Sequence, residues 1–398
     1  MIASKKEAIV PWKPKATMLE LKAEFVQMAD QPTANMSQLC QRYGISRPTG
    51  YKWLRRYRQN GLDGLYERSR RPKNSPNQTP KPIEQLVVAA RRRDPGWGGR
   101  KLNSHLRGQA ESGVISISPE QVPSPSTITR ILDRHGMLAE PEHASRRGSW
   151  NRFERSDPNE LWQLDFKGEF RLANQAYCYP LTLIDDYSRF SLAVAACADQ
   201  KRCTVQQQLR SVFERYGLPQ AILCDNGPPW GAGLGWRDWG PFYTGLAVWM
   251  IRLGIQVLYG RPNHPQGKGK NERFNGTLKA ELLDHEQFDN HKEAHHRMAD
   301  WRNRYNTVRP HQALDMAPPA TRYRPSQTTF PETLPPVEYG PGATTRKVNS
   351  TGTITIGNQC FTVGKAFRGY RLALRASSQP RQYDVYFCNQ QIRTVNLN

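Results

Sequence analysis

Three carboxylates beside apolar segments are the features that most constrain how this chain folds. Asp165 lies in the apolar run 162–166, and Asp225 closes a second run, 221–224, before the turn pair Asn226-Gly227. Glu272 stands at the start of a predicted helix. Mg²⁺ and Mn²⁺ prefer oxygen ligands. Two aspartates at strand ends and one helical glutamate therefore predict a hard-metal site that acts on phosphate.

The charge balance indicates a polyanionic partner. The 398 residues include 57 Lys and Arg against 35 Asp and Glu, a net charge of +22. Such an excess favours nucleic acid, with an anionic membrane surface as the competing partner. No apolar run reaches the roughly 18 residues of a transmembrane span, and the N-terminus lacks the apolar core of a signal peptide. We therefore expect double-stranded DNA as the partner and no membrane.

The cysteines indicate the redox compartment. The seven cysteines are scattered and form no Cys-x-x-Cys pair, and most lie in apolar stretches. Buried free thiols are the usual state of such residues. The sequence therefore predicts a reducing cytosol.

Residues 1–65 have the pattern of a helix-turn-helix domain. Three short helices are predicted, with Gly44 in the turn and Ser46 as the N-cap of a basic third helix, in which Gly50 weakens the prediction locally. A small helical bundle with a solvated basic face is the alternative. The side chains of the third helix for which we expect DNA contacts are Arg47, Thr49, Tyr51, Lys52, Arg55 and Arg56.

Residues 83–140 predict a second, less specific helix-turn-helix-like domain, which follows a basic linker at 66–82. Ser124-Pro125 has the pattern of an N-cap followed by proline in the first helical turn. In the helix that starts there, the residues expected to contact DNA are Ser126, Thr127 and Arg130.

The remaining chain predicts two further domains. After a polar linker at 141–158, residues 159–320 read as three strands followed by alternating helices and strands, which is typical of a mixed α/β sheet. Residues 321–345 form a Pro/Thr-rich linker, and 346–398 read as five short strands of a small β-barrel. The predicted fold class is therefore multidomain α/β.

At this point the core resembles a known family. It is similar to the integrase-type catalytic core of bacterial insertion-sequence DDE transposases, which has a ribonuclease-H-like fold, and helix-turn-helix units with a small C-terminal barrel also fit that family. The runs that carry the resemblance, in chain order, are Trp162-Gln163-Leu164-Asp165-Phe166-Lys167-Gly168, Asp185-Asp186-Tyr187-Ser188-Arg189, Asp225-Asn226-Gly227, His264-Pro265-Gln266-Gly267-Lys268, Glu272-Arg273-Phe274-Asn275, Arg304-Tyr305-Asn306 and Arg309-Pro310-His311-Gln312-Ala313-Leu314.

The chain departs from the retroviral relatives of that family in two ways. Asp225 and Glu272 are 47 positions apart, which is longer than the compact spacing usual in retroviral integrases. We interpret the extra length, within 228–240, as a surface insertion. The His/Cys zinc-binding module of retroviral integrases is absent from the sequence, and helix-turn-helix units stand in its place.

The resemblance implies roles for the acidic and basic residues of the core. Asp165, Asp225 and Glu272 would be catalytic and would hold two Mg²⁺ ions, for which Mn²⁺ can substitute. Asp185 and Asp186 are interpreted as turn residues or supporting contacts, with metal ligation as the less favoured role. DNA phosphate contacts, with a solvated basic face as the alternative, are expected for Lys268, Lys270, Arg273 and Lys279.

The function implied by the resemblance is that of a DNA transposase. It would bind transposon ends, cleave their 3′ ends and join them to target DNA, as a homo-oligomer on DNA in the bacterial cytoplasm at the nucleoid. The alternatives are a nuclease or recombinase without strand transfer, and a DNA-binding regulator derived from a transposase without catalytic activity. Ribonuclease H activity follows from fold alone and is weak. The sequence leaves open whether a helper ATPase is required and indicates none.

Overall fold

The chain forms two compact units that divide after Gln78. The computed structural model describes residues 15–67, 78–138, 154–231, 243–260 and 269–397. Within these ranges, no helix combines the length and apolar character needed to cross a membrane.

The first unit contains the three helices that the sequence predicts. Asn35 caps the second helix by accepting hydrogen bonds from two backbone amides, and the Ser46 hydroxyl caps the third by accepting one from Thr49 at 3.3 Å. Phe25 and Leu54 belong to its buried core. The helices are α1 (Lys15–Ala29), α2 (Met36–Arg42) and α3 (Arg47–Asn60), followed by a short 3₁₀ turn (Gly61–Leu65).

Gly50 has a packing role that explains a glycine within α3. It is buried, and a Cβ atom at this position would lie 2.7 Å from the Sγ of Cys40 and 3.0 Å from the Cζ of Phe25. A glycine costs helix stability, but here it lets α3 lie directly against α1 and α2. Close packing therefore outweighs local helix propensity.

Replacing Gly50 by alanine should destabilise the first unit although alanine is the better helix former. Overpacking of a core typically costs about 1–3 kcal/mol, against a propensity gain of up to about 1 kcal/mol. We expect a net loss of about 1 kcal/mol or more in the free energy of unfolding, measured by urea denaturation. The control is Gly108→Ala in the helix Gly99–Glu111 of the second unit, where nothing lies within 4 Å of the added Cβ. An equal or raised stability of the Gly50 variant would contradict this account.

The second unit begins with the second predicted three-helix segment. Helices α4 (Lys81–Arg93), α5 (Gly99–Glu111) and α6 (Pro125–Arg134) pack around their own apolar core. The Ser124 hydroxyl caps α6 by accepting from the backbone amide of Thr127 at 3.3 Å, as predicted. A Cβ atom at Gly99 would lie 2.3 Å from the carbonyl oxygen of Pro125, so the starts of α5 and α6 are in contact.

A mixed sheet forms the centre of the second unit. β1 is antiparallel to β3 and parallel to β5; β3 also pairs antiparallel with β4 and with the short β2, and β5 pairs parallel with β6. The strands are β1 (Leu161–Phe166), β2 (Phe170–Arg171), β3 (Tyr177–Asp185), β4 (Ser191–Cys197), β5 (Ala221–Cys224) and β6 (Gln256–Tyr259). The predicted mixed α/β sheet is thus confirmed.

Helices cover both faces of this sheet. On one face, Trp162 and Leu164 of β1 pack in the cluster that includes residues of α7 (Arg202–Tyr216) and α8 (Gly245–Arg252). On the other face, a second apolar cluster includes residues of α9 (Gly269–Leu278) and α10 (His291–Thr307). Side chains alternate along a strand, so Gln163 and Asp165 belong to the α9 face.

The C-terminal strands form two sheets. Strands β7, β10, β11 and β12 make an antiparallel sheet in the order β12-β11-β10-β7, and β8 and β9 make a hairpin. The predicted strands are present, but no pairing among the described residues closes them into a barrel. The strands are β7 (Thr344–Lys347), β8 (Thr353–Ile356), β9 (Gln359–Thr362), β10 (Arg371–Ala376), β11 (Gln382–Phe387) and β12 (Gln390–Asn396).

The predicted linker at 321–345 and the predicted insertion at 228–240 both contribute to the packing. Phe330 packs against the main core, and the first residues of β7 fall inside the linker range. At the start of the insertion Trp230 is buried against Phe166, with ring centroids 5.4 Å apart. Most of the insertion lies outside the described residues.

Buried charges join the α4–α6 segment to the sheet domain. The Glu281 carboxylate accepts from Arg309 Nε at 2.9 Å and lies 3.6 Å from Lys101 Nζ. Arg309 also donates to the ring of His311 at 3.0 Å. Burial, together with the positive charges of Arg309, Lys101 and Arg189, lowers the pKa of His311 to about 2. His311 is therefore neutral in the folded protein at every working pH.

The neutral state of His311 should make stability depend on pH. The unfolded chain binds a proton near pH 6.5 that the folded chain cannot bind, so this stabilisation is complete above pH 6.5 and is lost below it. We expect the stability advantage of the wild type over His311→Gln to shrink by about 1.4 kcal/mol per pH unit below 6.5. Urea unfolding between pH 7 and 5 measures it, with His296→Gln, at a side chain that is 76% exposed, as the control. A pH-independent difference would exclude a neutral His311.

Candidate active site

Strand register places two of the predicted carboxylates side by side. β1 and β5 are parallel neighbours in which Gln163 pairs with Leu223. Asp165 and Asp225 each follow two residues later, so both stand at the carboxyl ends of adjacent strands. Asp165 is half-buried and Asp225 is exposed. The sheet therefore places both aspartates at the same end of two adjacent strands. The sequence predicts that both stand at strand ends.

Helix α9 brings the third carboxylate towards these strand ends. The Nδ2 of Asn275 donates to the Oδ2 of Asp165 at 3.2 Å, and the hydroxyl of Thr182 donates to the Oδ1 of Asn275 at 3.0 Å. Glu272 is exposed and lies three positions before Asn275, on the same helical face. Glu272 therefore lies on the helix that contacts the strand end carrying Asp165, three residues before that contact.

The three carboxylates do not form a preassembled metal cluster. Within the described ranges, no three His, Cys, Asp or Glu side chains are grouped closely enough to hold a metal ion. Residues 261–268, which immediately precede α9, lie outside those ranges. The three carboxylates thus do not converge on one point.

A buried ion pair fastens the start of α9 to the sheet. The Nζ of Lys270 donates to the Oδ2 of Asp186 at 2.5 Å, and the Nε2 of Gln163 donates to its Oδ1 at 2.8 Å. The backbone amide of Asn271 in turn donates to the Oε1 of Gln163 at 3.3 Å. Burial lowers the pKa of Lys270, and the carboxylate of Asp186 acts in the opposite direction. Lys270, predicted to contact DNA, therefore has a structural partner in this state.

Asp185 serves the turn between β3 and β4. Its carboxylate accepts from the backbone amide and hydroxyl of Ser188, at 2.8 and 2.6 Å, and from the backbone amide of Asn159 at 2.8 Å. Burial raises the pKa of Asp185. The interpretation of Asp185 and Asp186 as turn or supporting residues agrees with these contacts.

The predicted DNA-binding side chains of the first unit differ in exposure. Arg47, Tyr51, Lys52 and Arg55 are exposed on α3, whereas Thr49 and Arg56 are half-buried. Arg47 donates to the hydroxyl of Ser37 at 2.6 Å, and the Thr49 hydroxyl lies 2.8 Å from that of Ser46. Tyr51 is 57% exposed, which makes it the largest apolar surface offered by this helix.

The predicted DNA-binding side chains of the second unit are mostly at the surface. Ser126 and Arg130 are exposed at α6, and Thr127 is half-buried with its hydroxyl 3.0 Å from that of Ser124. Arg273 and Lys279 are exposed on and after α9, whereas Lys268 lies outside the described residues. No DNA contact is tested by these positions, and each remains a prediction.

Sequence reasoning missed several residues near these surfaces. Arg100, Lys101 and Gln312 line a groove with Ser126, between the starts of α5 and α6 and the sheet domain. The supporting residues Gln163 and Asn275 were also missed. A polar residue at a buried position of an apolar strand, as Gln163 is, was the signal that could have revealed its role.

Family models match most of the chain. Models described as Integrase core domain match residues 155–265 and 253–319, which together contain the three carboxylates. A helix-turn-helix domain model matches 21–73, and a homeodomain-like domain model matches 49–132. The C-terminal domain of the IS481 family transposases matches 343–398.

These matches are typical of insertion-sequence transposases: the chain contains an integrase core domain and a C-terminal domain of the IS481 transposase type. The predicted integrase-type core and helix-turn-helix units are confirmed by the same matches.

Curated relatives of this chain are proteins of bacterial insertion elements. It is 30% identical over 175 residues to an uncharacterized 39.2 kDa protein of insertion element IS476 from Xanthomonas euvesicatoria, covering 43% of this chain and 47% of the relative. It is 25% identical over 193 residues to an uncharacterized 31.7 kDa protein of IS407 from Burkholderia multivorans, covering 48% and 62%. The chain thus spans about half to three fifths of the length of these relatives.

Solved structures resemble this chain only distantly. A simian T-cell lymphotropic virus intasome in complex with PP2A regulatory subunit B56 gamma matches with 16% identity and a TM-score of 0.34, over 79% of this chain and 99% of that one. The HTLV-2 integrase catalytic core domain in complex with magnesium matches with 18% identity and a TM-score of 0.29, over 39% and 92%. Because both TM-scores are low, the fold is identified from the strand order and from the family models instead.

The two roles of Lys270 can be separated by replacing it with methionine. Lys270 is 16% exposed and Asp186 is 1% exposed, so the variant leaves a buried carboxylate without its cation. Removing one partner of such a pair costs about 3 kcal/mol in the free energy of unfolding. Urea denaturation measures this loss, with Arg273→Met as the exposed control on the same helix. Unchanged stability with weakened DNA binding would assign Lys270 to DNA instead.

Proposed function

We propose that this protein is a transposase that binds the ends of its own element, cleaves the DNA at their 3′ ends and joins those ends to target DNA. The observation that supports this proposal most strongly is that Asp165 and Asp225 follow adjacent parallel strands of an integrase-type core, and that the helix carrying Glu272 bonds Asp165 through Asn275. Three acidic side chains at the open edge of a basic protein are costly unless positive charge compensates them. The site therefore suits a metal-dependent reaction on phosphodiesters.

The chemistry of the residues present fits a divalent metal. Carboxylate oxygens are the donors that Mg²⁺ and Mn²⁺ prefer. A buried amide oxygen at the residue after Asp225, the Oδ1 of Asn226, has no hydrogen-bond partner among the described residues. Unpaired buried polar atoms are expected where a ligand completes a site. Asp165, Asp225 and Glu272 would hold Mg²⁺, for which we propose two ions with Mn²⁺ as a substitute.

The metal would stabilise negative charge on the attacking and leaving oxygens of the phosphodiester. The remaining work falls to the protein. Asn275 fixes the orientation of the Asp165 carboxylate, and the Lys270–Asp186 ion pair fixes the start of the helix that carries Glu272. The exposed Arg273 and Lys279 would bind the DNA phosphates next to the carboxylates.

DNA recognition would lie outside the sheet domain. The exposed residues of α3 and α6 belong to segments that match helix-turn-helix and homeodomain-like models. In such domains the recognition helix enters the major groove and reads base edges. Recognition of the ends by α3 and α6 would bring the DNA to the carboxylates and would place the protein at the bacterial nucleoid.

Two DNA ends must meet for one element to move, so we propose a homo-oligomer on DNA. Each protomer would bind one end through its own helix-turn-helix units. Light scattering on complexes with end DNA would give the number of protomers, and a complex with a single protomer would contradict this part of the proposal.

The carboxylate that defines the activity can be tested with Glu272→Gln. We expect this variant to bind a duplex that carries the element's end as tightly as the wild type does, but to form no joined product with a target plasmid in Mg²⁺. Loss of one such carboxylate should reduce the rate by about 10²- to 10³-fold, the range for removal of a key transition-state group. A gel assay with labelled end DNA measures both cleavage and joining.

The control for this test is Glu214→Gln, the same chemical change at an exposed residue of α7. Activity of the Glu272 variant equal to that of this control would remove Glu272 from the site. Cleavage without joining by the wild type would favour a nuclease. Binding with neither reaction, in Mg²⁺ and in Mn²⁺, would favour a DNA-binding regulator that has lost catalysis.

A further inference from the structure

Glu281 occupies an unusual place in the fold. The helix that carries Glu272 does not end at Leu278 but continues directly into a π-helical turn, Lys279–Leu283. Glu281 lies in this turn, and its side chain is only 7% exposed. π-Helical turns within helices are rare and frequently occur at functional sites. A buried acidic side chain at such a turn therefore calls for an explanation.

The contacts of Glu281 come from two directions. From the sheet domain, Arg309 Nε donates to both carboxylate oxygens, at 2.9 and 3.0 Å. From the second helix-turn-helix segment, Lys101 of α5 lies 3.6 Å away, and a Cβ atom at Gly96 would lie 2.3 Å from the Cγ of Glu281. Glu281 is therefore a residue through which the second helix-turn-helix segment contacts the helix that carries Glu272.

A second ion pair, between a buried carboxylate and a partly exposed arginine, reinforces this contact. Asp94, at the end of α4, is 6% exposed and accepts from Arg304 of α10. Buried charges are costly to remove from water, and their attraction repays that cost only when each charge keeps its partner in good geometry. An interface built from such pairs fixes one arrangement of the two parts rather than a range of arrangements.

We propose that Glu281 is a positioning residue that couples DNA held by the second helix-turn-helix segment to the catalytic glutamate Glu272. The coupling passes from α5 through Lys101 to Glu281, and from there along one continuous helix to Glu272. Binding of DNA by α6 thereby sets where Glu272 stands relative to Asp165. The inference rests on the proposed transposase function.

The coupling is tested with Glu281→Gln in the full chain, which keeps the shape of the side chain and removes its charge. We expect the affinity for a duplex carrying the element's end to stay within about threefold of the wild type, while joining to a target plasmid falls by roughly tenfold. Asp284→Asn, at an exposed residue just after the same turn, is the matched control and should behave as the wild type.

Hydrogen–deuterium exchange separates coupling from a general loss of structure. In the wild type, addition of the end duplex should slow amide exchange in residues 269–283. In Glu281→Gln the duplex should still protect α6, but the protection of 269–283 should be lost. Lys101→Met provides a second variant that acts from the other side of the contact. If both variants act through one contact, their effects should not add. The double variant should then join DNA no more slowly than the slower of the two single variants.

The outcomes distinguish this inference from the proposed function. A wild type that neither cleaves nor joins the end duplex would overturn the function, whereas exchange in 269–283 would still report the coupling. The coupling would be overturned by a different result, in which the wild type is active. In that result Glu281→Gln and Lys101→Met both join DNA as fast as the wild type and keep the protection of 269–283. If Glu281→Gln fails to fold, as circular dichroism would reveal, Lys101→Met decides in the same way.

Discussion

The placement of helix α9 on the sheet is the constraint on which the rest of the site depends. Acidic side chains gathered at one edge repel each other, so apolar packing alone would not define where Glu272 stands. The chain instead uses fixed polar contacts: Asn275 bonds Asp165, and Lys270 bonds Asp186. Hydrogen bonds of this kind are directional, and burial makes each of them costly to break. These hydrogen bonds therefore fix the position of α9 on the sheet.

Local signals in the sequence were sufficient to predict the elements but not their mutual contacts. Capping residues such as Ser46 and Ser124, and the apolar runs before Asp165 and Asp225, predicted helices and strands close to those observed. The partner of Lys270 lies 84 positions away, so neither periodicity nor spacing could reveal it. Barrel closure was predicted from strand number alone, whereas pairing depends on which edges meet. That information is absent from any single strand.

Both edges of the central sheet are protected by side-chain amides. Asn306 of α10 bonds the backbone N–H and C=O of Ser191 in β4, at 2.8 and 2.9 Å. Gln390 of the C-terminal sheet makes the equivalent pair with Val257 of β6, both at 2.9 Å. Exposed edge strands are templates for unwanted pairing. The C-terminal sheet thus also protects one edge strand of the central sheet. This contact explains why apolar residues of both sheets belong to the same core.

The positive charge of the chain divides into two populations with different work. Lys101, Lys270 and Arg309 are largely buried and neutralise Glu281 or Asp186, so their charges hold the second unit together. Others, such as Lys52 and Arg130, are exposed on helices that match DNA-binding families. Only this second population can release counterions from DNA and so contribute to affinity. The count of 57 Lys and Arg residues therefore overstates the DNA-binding surface, because some of these side chains are already paired with internal acidic partners.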